Sequence, residues 1–252
     1  MGDVMRRLIL FGLIILFAVP VQGALIGVNI AEKLDGDLKV MVDSENSVMK
    51  ITNDFQNSGS VTYNARARLD VFDGENIVFT GWSQESIMKP GDIKDYTLYW
   101  VEEDTEDLTA RLRMYFGNEI SEMEIEIPPM NDVDSEDAFE VTRVRTFDDT
   151  ISFYVKSKKD IDNVIIIPEN YPLGWIIEQT EIESIESNQF QYTTIDFSTP
   201  EYSDIEIDIV IVSKDGTYYS RENIMIKKES GLALQINQFM DSITIGFRSI
   251  FG

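Results

Sequence analysis

The chain has 252 residues, with 45 acidic against 21 basic side chains, a formal charge of −24 and an isoelectric point near 4.2. That balance argues against a nucleic-acid binder, because neutralising phosphates needs clustered Lys and Arg. There is no histidine and no cysteine, which removes Ser-His-Asp, Cys-His and zinc-hydrolase chemistry and leaves the fold to be held together by packing, assembly, metal or membrane contacts without disulfides. No cofactor is expected, and the abundant Ile and Glu point to a prokaryotic, archaeal-type composition.

Arg6 and Arg7 precede an unbroken apolar run over residues 8–19, followed by Pro20 and then Val21 and Gly23. A basic start, an apolar run and small residues after a helix breaker make the three parts of a secretory signal, here cut after Gly23. The same stretch also reads as an uncleaved apolar anchor helix. Residues 8–31 hold only Gln22 and Asn29 as clearly polar side chains, and about 20 apolar residues span a bilayer. Both readings of residues 1–23 predict an extracytoplasmic protein, secreted or held at the cell surface.

Beyond the leader, short runs rich in Ile, Val, Tyr, Phe and Thr alternate with turn residues at the spacing of a β-sandwich. In the first half, strands are expected at 38–42, 48–55, 61–72, 77–83, 93–101, 108–116 and 120–127. Asp73-Gly74 and Gly117-Asn118 read as hairpin turns, and a slip in alternation predicts a bulge near Ser121. Pro128-Pro129 and the acidic residues after it read as a linker over 129–138. The second half repeats the pattern at 139–147, 151–157, 164–167, 175–182, 190–197, 205–213 and 217–227. Ile205, Ile207, Ile209 and Ile211 alternate as in a strand with one wet face. The expected fold is thus all-β: two tandem immunoglobulin-like sandwiches, 27–128 and 139–228, with an N-terminal apolar helix and a C-terminal amphipathic helix.

Asn57-Ser58-Gly59-Ser60, the alternating Ala65, Ala67, Leu69 and Val71, Phe72-Asp73-Gly74, Met88-Lys89-Pro90-Gly91-Asp92 and Tyr99-Trp100 give residues 38–127 a resemblance to CARDB-type cell-adhesion-related domains. Those domains are similar to fibronectin type III and immunoglobulin sandwiches. The motifs are turn chemistry and alternation: Asn57 to Ser60 turns the chain, and Pro90-Gly91 pre-sets the turn into the next strand. The resemblance implies an extracellular, non-enzymatic interaction or spacer module.

Four groups of residues are candidates for contacts. Arg66, Arg68, Arg111 and Arg113 stand at period-2 spacing on strands expected to be neighbours, so they predict an arginine patch on an outer face. That patch either docks an acidic partner, lipid phosphate or second copy, or pairs across strands with residues such as Asp70. Asp132, Asp134, Glu136 and Asp137 in the linker are weak Ca²⁺ candidates, against a solvated linker. Tyr171 and Trp175 are candidate sugar-binding aromatics, against core packing. Residues 230–252 carry Leu232, Ile236, Phe239, Met240, Ile243, Phe247, Ile250 and Phe251 at helical spacing, an amphipathic helix for a membrane surface, a partner or its own domain.

The sequence therefore predicts an exported structural or adhesion-like protein whose partners are envelope or cell-surface proteins or further copies of itself. A carbohydrate-binding accessory module is the alternative.

Overall fold

Alternating apolar positions fold the chain into strands throughout the residues that the computed structural model describes, 34–45, 47–101, 108–128, 135–147, 149–199 and 204–226. The first half contributes β1 (Gly36–Glu45), β2 (Val48–Asn57), β3 (Tyr63–Asp73), β4 (Asn76–Trp82), β5 (Ser86–Met88), β6 (Ile93–Val101), β7 (Leu108–Phe116) and β8 (Glu119–Ile125). A three-stranded sheet, β1-β2-β6, faces the sheet β4-β3-β7-β8, with β5 continuing the β4 edge along β3. The tight β3–β4 and β7–β8 hairpins turn at Gly74 and Gly117, both with φ near +58°. Glycine holds the first central position in each, as a type II′ turn requires.

The second half contributes β9 (Glu136–Asp137), β10 (Phe139–Phe147), β11 (Thr150–Ser157), β12 (Ile161–Glu169), β13 (Ile176–Ile177), β14 (Thr180–Ile185), β15 (Phe190–Ser198), β16 (Ile205–Ser213) and β17 (Tyr218–Ile226). Its sheets are β10-β11-β15-β13 and β14-β12-β16-β17-β9. With β5, β9 and β13 set aside, both halves share one connectivity, in which strands one, two and five form one sheet and the other strands form the opposite one.

Each half has its own core. The first gathers Met49, Ile51, Phe55, Leu69, Leu98, Leu112 and Met114, and the second Ile151, Phe153, Val164, Ile166, Ile207, Ile209 and Ile211. The first core also contains Ile165, Ile167, Val210 and Val212, which come from β12 and β16 of the second half. The expectation of one wet face along 205–213 is corrected here. The strand is buried on both faces over Ile209–Val212, as β12 is over Val164–Ile167. Both faces are dry because β12 packs against β4 and β6, the sheet edges on one side of the first sandwich. All the described strands accordingly fall within one compact unit, Lys33–Gly252.

Two further expectations are corrected. The predicted fold carried an apolar helix at its start and an amphipathic helix at its end, whereas every regular element among the described residues is a strand, so the fold is an all-β sandwich. The residues assigned to those helices, 1–23 and Leu232, Ile236, Phe239, Met240, Ile243, Phe247, Ile250 and Phe251, lie outside the described residues. Among the described residues no helix is long and apolar enough to cross a membrane. The bulge expected at Ser121 is absent: β7 and β8 pair without a break from Ala110↔Ile125 to Phe116↔Glu119. The register shifts fall instead between Thr142 and Arg145 of β10, where Arg143 adopts φ 57°, and between Val71 and Phe72 of β3.

Candidate interaction surface at the junction of the two halves

Gln179 stands between β13 and β14 and is 5% exposed. Its Oε1 accepts a hydrogen bond from Tyr99 N (2.7 Å) and its Nε2 donates to Tyr99 O (2.7 Å), while its own backbone N donates to Trp82 O (2.9 Å). One side-chain amide thus gives edge strand β6 the donor and acceptor that a neighbouring strand would supply, and its main-chain N–H gives edge strand β4 a donor. Buried backbone groups need such partners. Gly81 makes the approach possible, since a Cβ there would stand 2.7 Å from Gln179 Nε2 and 3.0 Å from the Phe79 ring.

Polar contacts flank this plug. Tyr171 Oη donates to Thr80 O (2.7 Å), and Tyr99 Oη donates to Glu181 Oε1 (3.0 Å). Burial raises the pKa of both phenols. Glu178 pairs in a parallel bridge with Trp82, accepts from Glu85 N (3.2 Å) and lies 3.8 Å from Arg66. Burial pushes its carboxyl above the usual range, with Asp196 and Glu85 adding to the shift and the Glu85 amide and Arg66 opposing it. Beside the plug, Ser86, Lys94, Tyr96, Gln179 and Glu181 are among the residues lining a cleft of about 470 Å³.

The four predicted arginines do come together. Arg68 lies directly opposite Arg113, and Asp70 opposite Arg111, across the β3–β7 ladder. They are engaged within the molecule. Asp70, fully buried, takes Arg68 at 2.7 Å, Arg113 and the hydroxyl of Thr80 (2.8 Å). Arg113 also meets Glu122 (3.2 Å), Arg66 meets Glu85 (2.9 Å), Arg111 lies over the Phe72 ring and Arg68 over that of Trp82. Asp70 thus gathers two of the four arginines, Arg113 from across the ladder and Arg68 from its own strand. Through Glu178, part of the patch faces the second half of the same chain.

The remaining predicted sites fare differently. Trp175 is 5% exposed and stacks on Phe197 in the second core, so it offers no platform; Tyr171 is tied into the junction. Of the acidic cluster, Glu136 and Asp137 form β9 and pair with Lys159 and Lys158, while Asp132 and Asp134 lie outside the described residues. Among the described residues no group of three or more candidate ligands is disposed to hold a metal.

Sequence reasoning missed Gln179, whose role arises from tertiary placement alone. It also missed an aromatic face on the outer side of β11 and β15. There Tyr154 pairs with Tyr192 (ring centroids 5.4 Å apart), Lys156 lies over Phe190, and Arg143 lies over Tyr154. Period-2 spacing of Tyr154 with Lys156, and of Phe190 with Tyr192, was the available signal.

No protein-family model matches the chain, and no curated protein matches it. Among solved structures it is similar to red sea bream transglutaminase (8% identity, TM-score 0.24, 76% of this chain and 31% of that one). It is also similar to Escherichia coli alpha-2-macroglobulin activated by porcine elastase (9%, TM-score 0.25, 79% and 22%) and to CBD12 from CALX1.2 (10%, TM-score 0.21, 68% and 77%). The chain spans less than a third of the length of the first two.

Proposed function

We propose that this protein is an extracytoplasmic, non-enzymatic module that works through contacts: a stiff spacer or adhesion-like component of two immunoglobulin-type sandwiches, the first of them CARDB-like. The observation that supports this best is the junction. Stretches of β12 and β16 buried on both faces join the two halves, and Gln179 pairs with the strand edges at the seam, so the two sandwiches share one packed body. Such a body suits holding two attachment points at a fixed separation.

Surface labelling of intact cells tests the reading. Lys158 and Lys159 have well-exposed side chains and are expected to react with a membrane-impermeant amine reagent before lysis. Labelling that appears only after lysis overturns it. Mass spectrometry of the recovered N-terminus then tells a cleaved leader from a retained one.

Carbohydrate binding is the second reading, and it is favoured by a surface other than the predicted one. Tyr192 and Phe190 are 50% and 44% exposed and stand beside Tyr154. Retention on insoluble polysaccharide that is lost with Tyr192→Ala supports it, and no retention by the unmodified chain removes it.

A further inference from the structure

A sheet edge is a template for further strands, and folded proteins guard theirs with short strands, charges, bulges or cover. Among the described residues most sheet ends carry one of these features. β4 and β6 are covered by the second half, as described above. β8 is seven residues long and carries Glu119, Glu122 and Glu124; β14 carries Glu181 and Glu183. β9 and β13 are two residues each, and β10 is broken by the bulge at Arg143.

β1 is the longest of these end strands, and the charges it carries are of both signs. It runs for ten residues in unbroken register with β2 and pairs with no other strand among the described residues. It contains no proline. Leu38, Val40, Val42 and Ser44 are half-buried, while Asp37, Lys39, Met41 and Asp43 alternate with them on the exposed face. Met41, at the centre of that row, is 50% exposed.

We infer that β1 pairs antiparallel with β1 of a second copy about a two-fold axis through Met41, making one continuous six-stranded sheet from two three-stranded ones. The strand's own sequence selects this occupant and this register. With Met41 opposite Met41 of the second copy, Lys39 falls opposite Asp43 of the second copy on both sides of the axis, and Val40 falls opposite Val42. Directly opposed unlike charges and apolar pairs are the stabilising units of an antiparallel ladder. Moving the axis to Val40 sets Asp37 against Asp43, and moving it to Val42 sets Met41 against Asp43. Over the central stretch from Lys39 to Asp43, the axis at Met41 is therefore the one that opposes unlike charges and apolar residues together. A two-fold axis also makes the contact self-limiting at a dimer, since the same patch is used on both copies.

This inference deepens the contact-module reading and rests on it only for the expectation that the protein works through surfaces. The absence of cysteine makes a direct test possible on the full chain. Met41→Cys is expected to form a disulfide-linked dimer on mild oxidation, because opposed Cβ atoms lie within about 4.5–5.5 Å, close to bridging distance. Lys39→Cys and Asp43→Cys are each expected to stay uncrosslinked alone and to crosslink when mixed. In sedimentation equilibrium, Lys39→Asp weakens dimerisation about tenfold or more, and Lys39→Asp with Asp43→Lys restores it; thermal unfolding confirms that each variant is folded. A chain that sediments as a monomer at every concentration overturns the inference. So does Met41→Cys that stays uncrosslinked, or Lys39→Cys that crosslinks alone as readily. None of these results bears on surface labelling of intact cells, so failure of the dimer and failure of the broader reading are separable.

Discussion

Gln179 satisfies two buried backbone groups of Tyr99 at once, so its removal leaves both without partners. Each such group costs about 1–3 kcal/mol, and Gln179→Ala is expected to lose about 2–4 kcal/mol in urea unfolding. Gly81→Ala acts on the same contact by placing a methyl group 2.7 Å from Nε2, at a cost of about 1–3 kcal/mol. The two changes are expected to be non-additive in a double-mutant cycle, because removing the amide removes the nearer of the methyl group's two close contacts and leaves the one with the Phe79 ring. Asp70 presents the electrostatic counterpart. Asp70→Asn leaves Arg68 and Arg113 facing each other with no anion between them, and about 3 kcal/mol is expected to be lost, measured in the same way. Trp175→Ala is expected to act through the core, lowering stability by about 3–5 kcal/mol, with polysaccharide retention of the folded fraction unchanged.

At the scale of elements, proton linkage divides the second half from the junction. Asp137 on β9 is held below its ordinary 3.8 by hydrogen bonds from Ser220 and Lys158. Asp215 in the β16–β17 turn is raised by burial, but hydrogen bonds from Ser213 and Thr217 outweigh that and leave it lowered. A lowered carboxylate contributes stability that is complete above its unfolded value and lost as pH falls through the folded one. Glu178 works in the opposite sense: raised above 4.5 by burial, it favours the fold most when protonated and penalises it as pH rises through the folded value. Glu178→Gln is therefore expected to be more stable than the unmodified chain at neutral pH, with the difference shrinking as pH falls toward 4.5. Urea midpoints across that range check the sign.

Most of these elements were legible in the sequence. The expected runs at 93–101, 108–116, 139–147 and 205–213 coincide with β6, β7, β10 and β16, because period-2 alternation and Gly-centred turns are local signals. β5 and β9 were missed because strands of three and two residues carry too little alternation to read. The wet-face reading of 205–213 gave weight to Glu206 and Asp208 and passed over the continuous Ile209–Val212 run, although an unbroken apolar strand is the mark of burial on both faces. The arginine cluster was legible as a neighbourhood through strand order. Its partners were not, since Glu178 lies 112 positions from Arg66 and reaches it only through the packing of the halves.

For the whole molecule, the shared sheet predicts one unfolding transition. Phe79, Leu98 and Trp100 of the first half lie in the same buried cluster as Ile165, Ile167, Val210 and Val212, so losing the second half uncovers the first core. Calorimetry of the full chain is expected to show calorimetric and van't Hoff enthalpies in agreement. Val210→Asp, which places an unpaired charge on the shared wall, is expected to split or sharply lower that transition. Two separate transitions in the unmodified chain would show that the halves fold independently.

A sandwich that borrows a wall from its neighbour is not portable. Recombination that moved the segment around β1–β8 into another gene would deliver it without Gln179 and without the β12–β16 face, with two edges unprotected. The pair is thus the smallest unit that evolution can shuffle. Substitutions at Gly81 and Gln179 are expected to be coupled although the two residues belong to different halves.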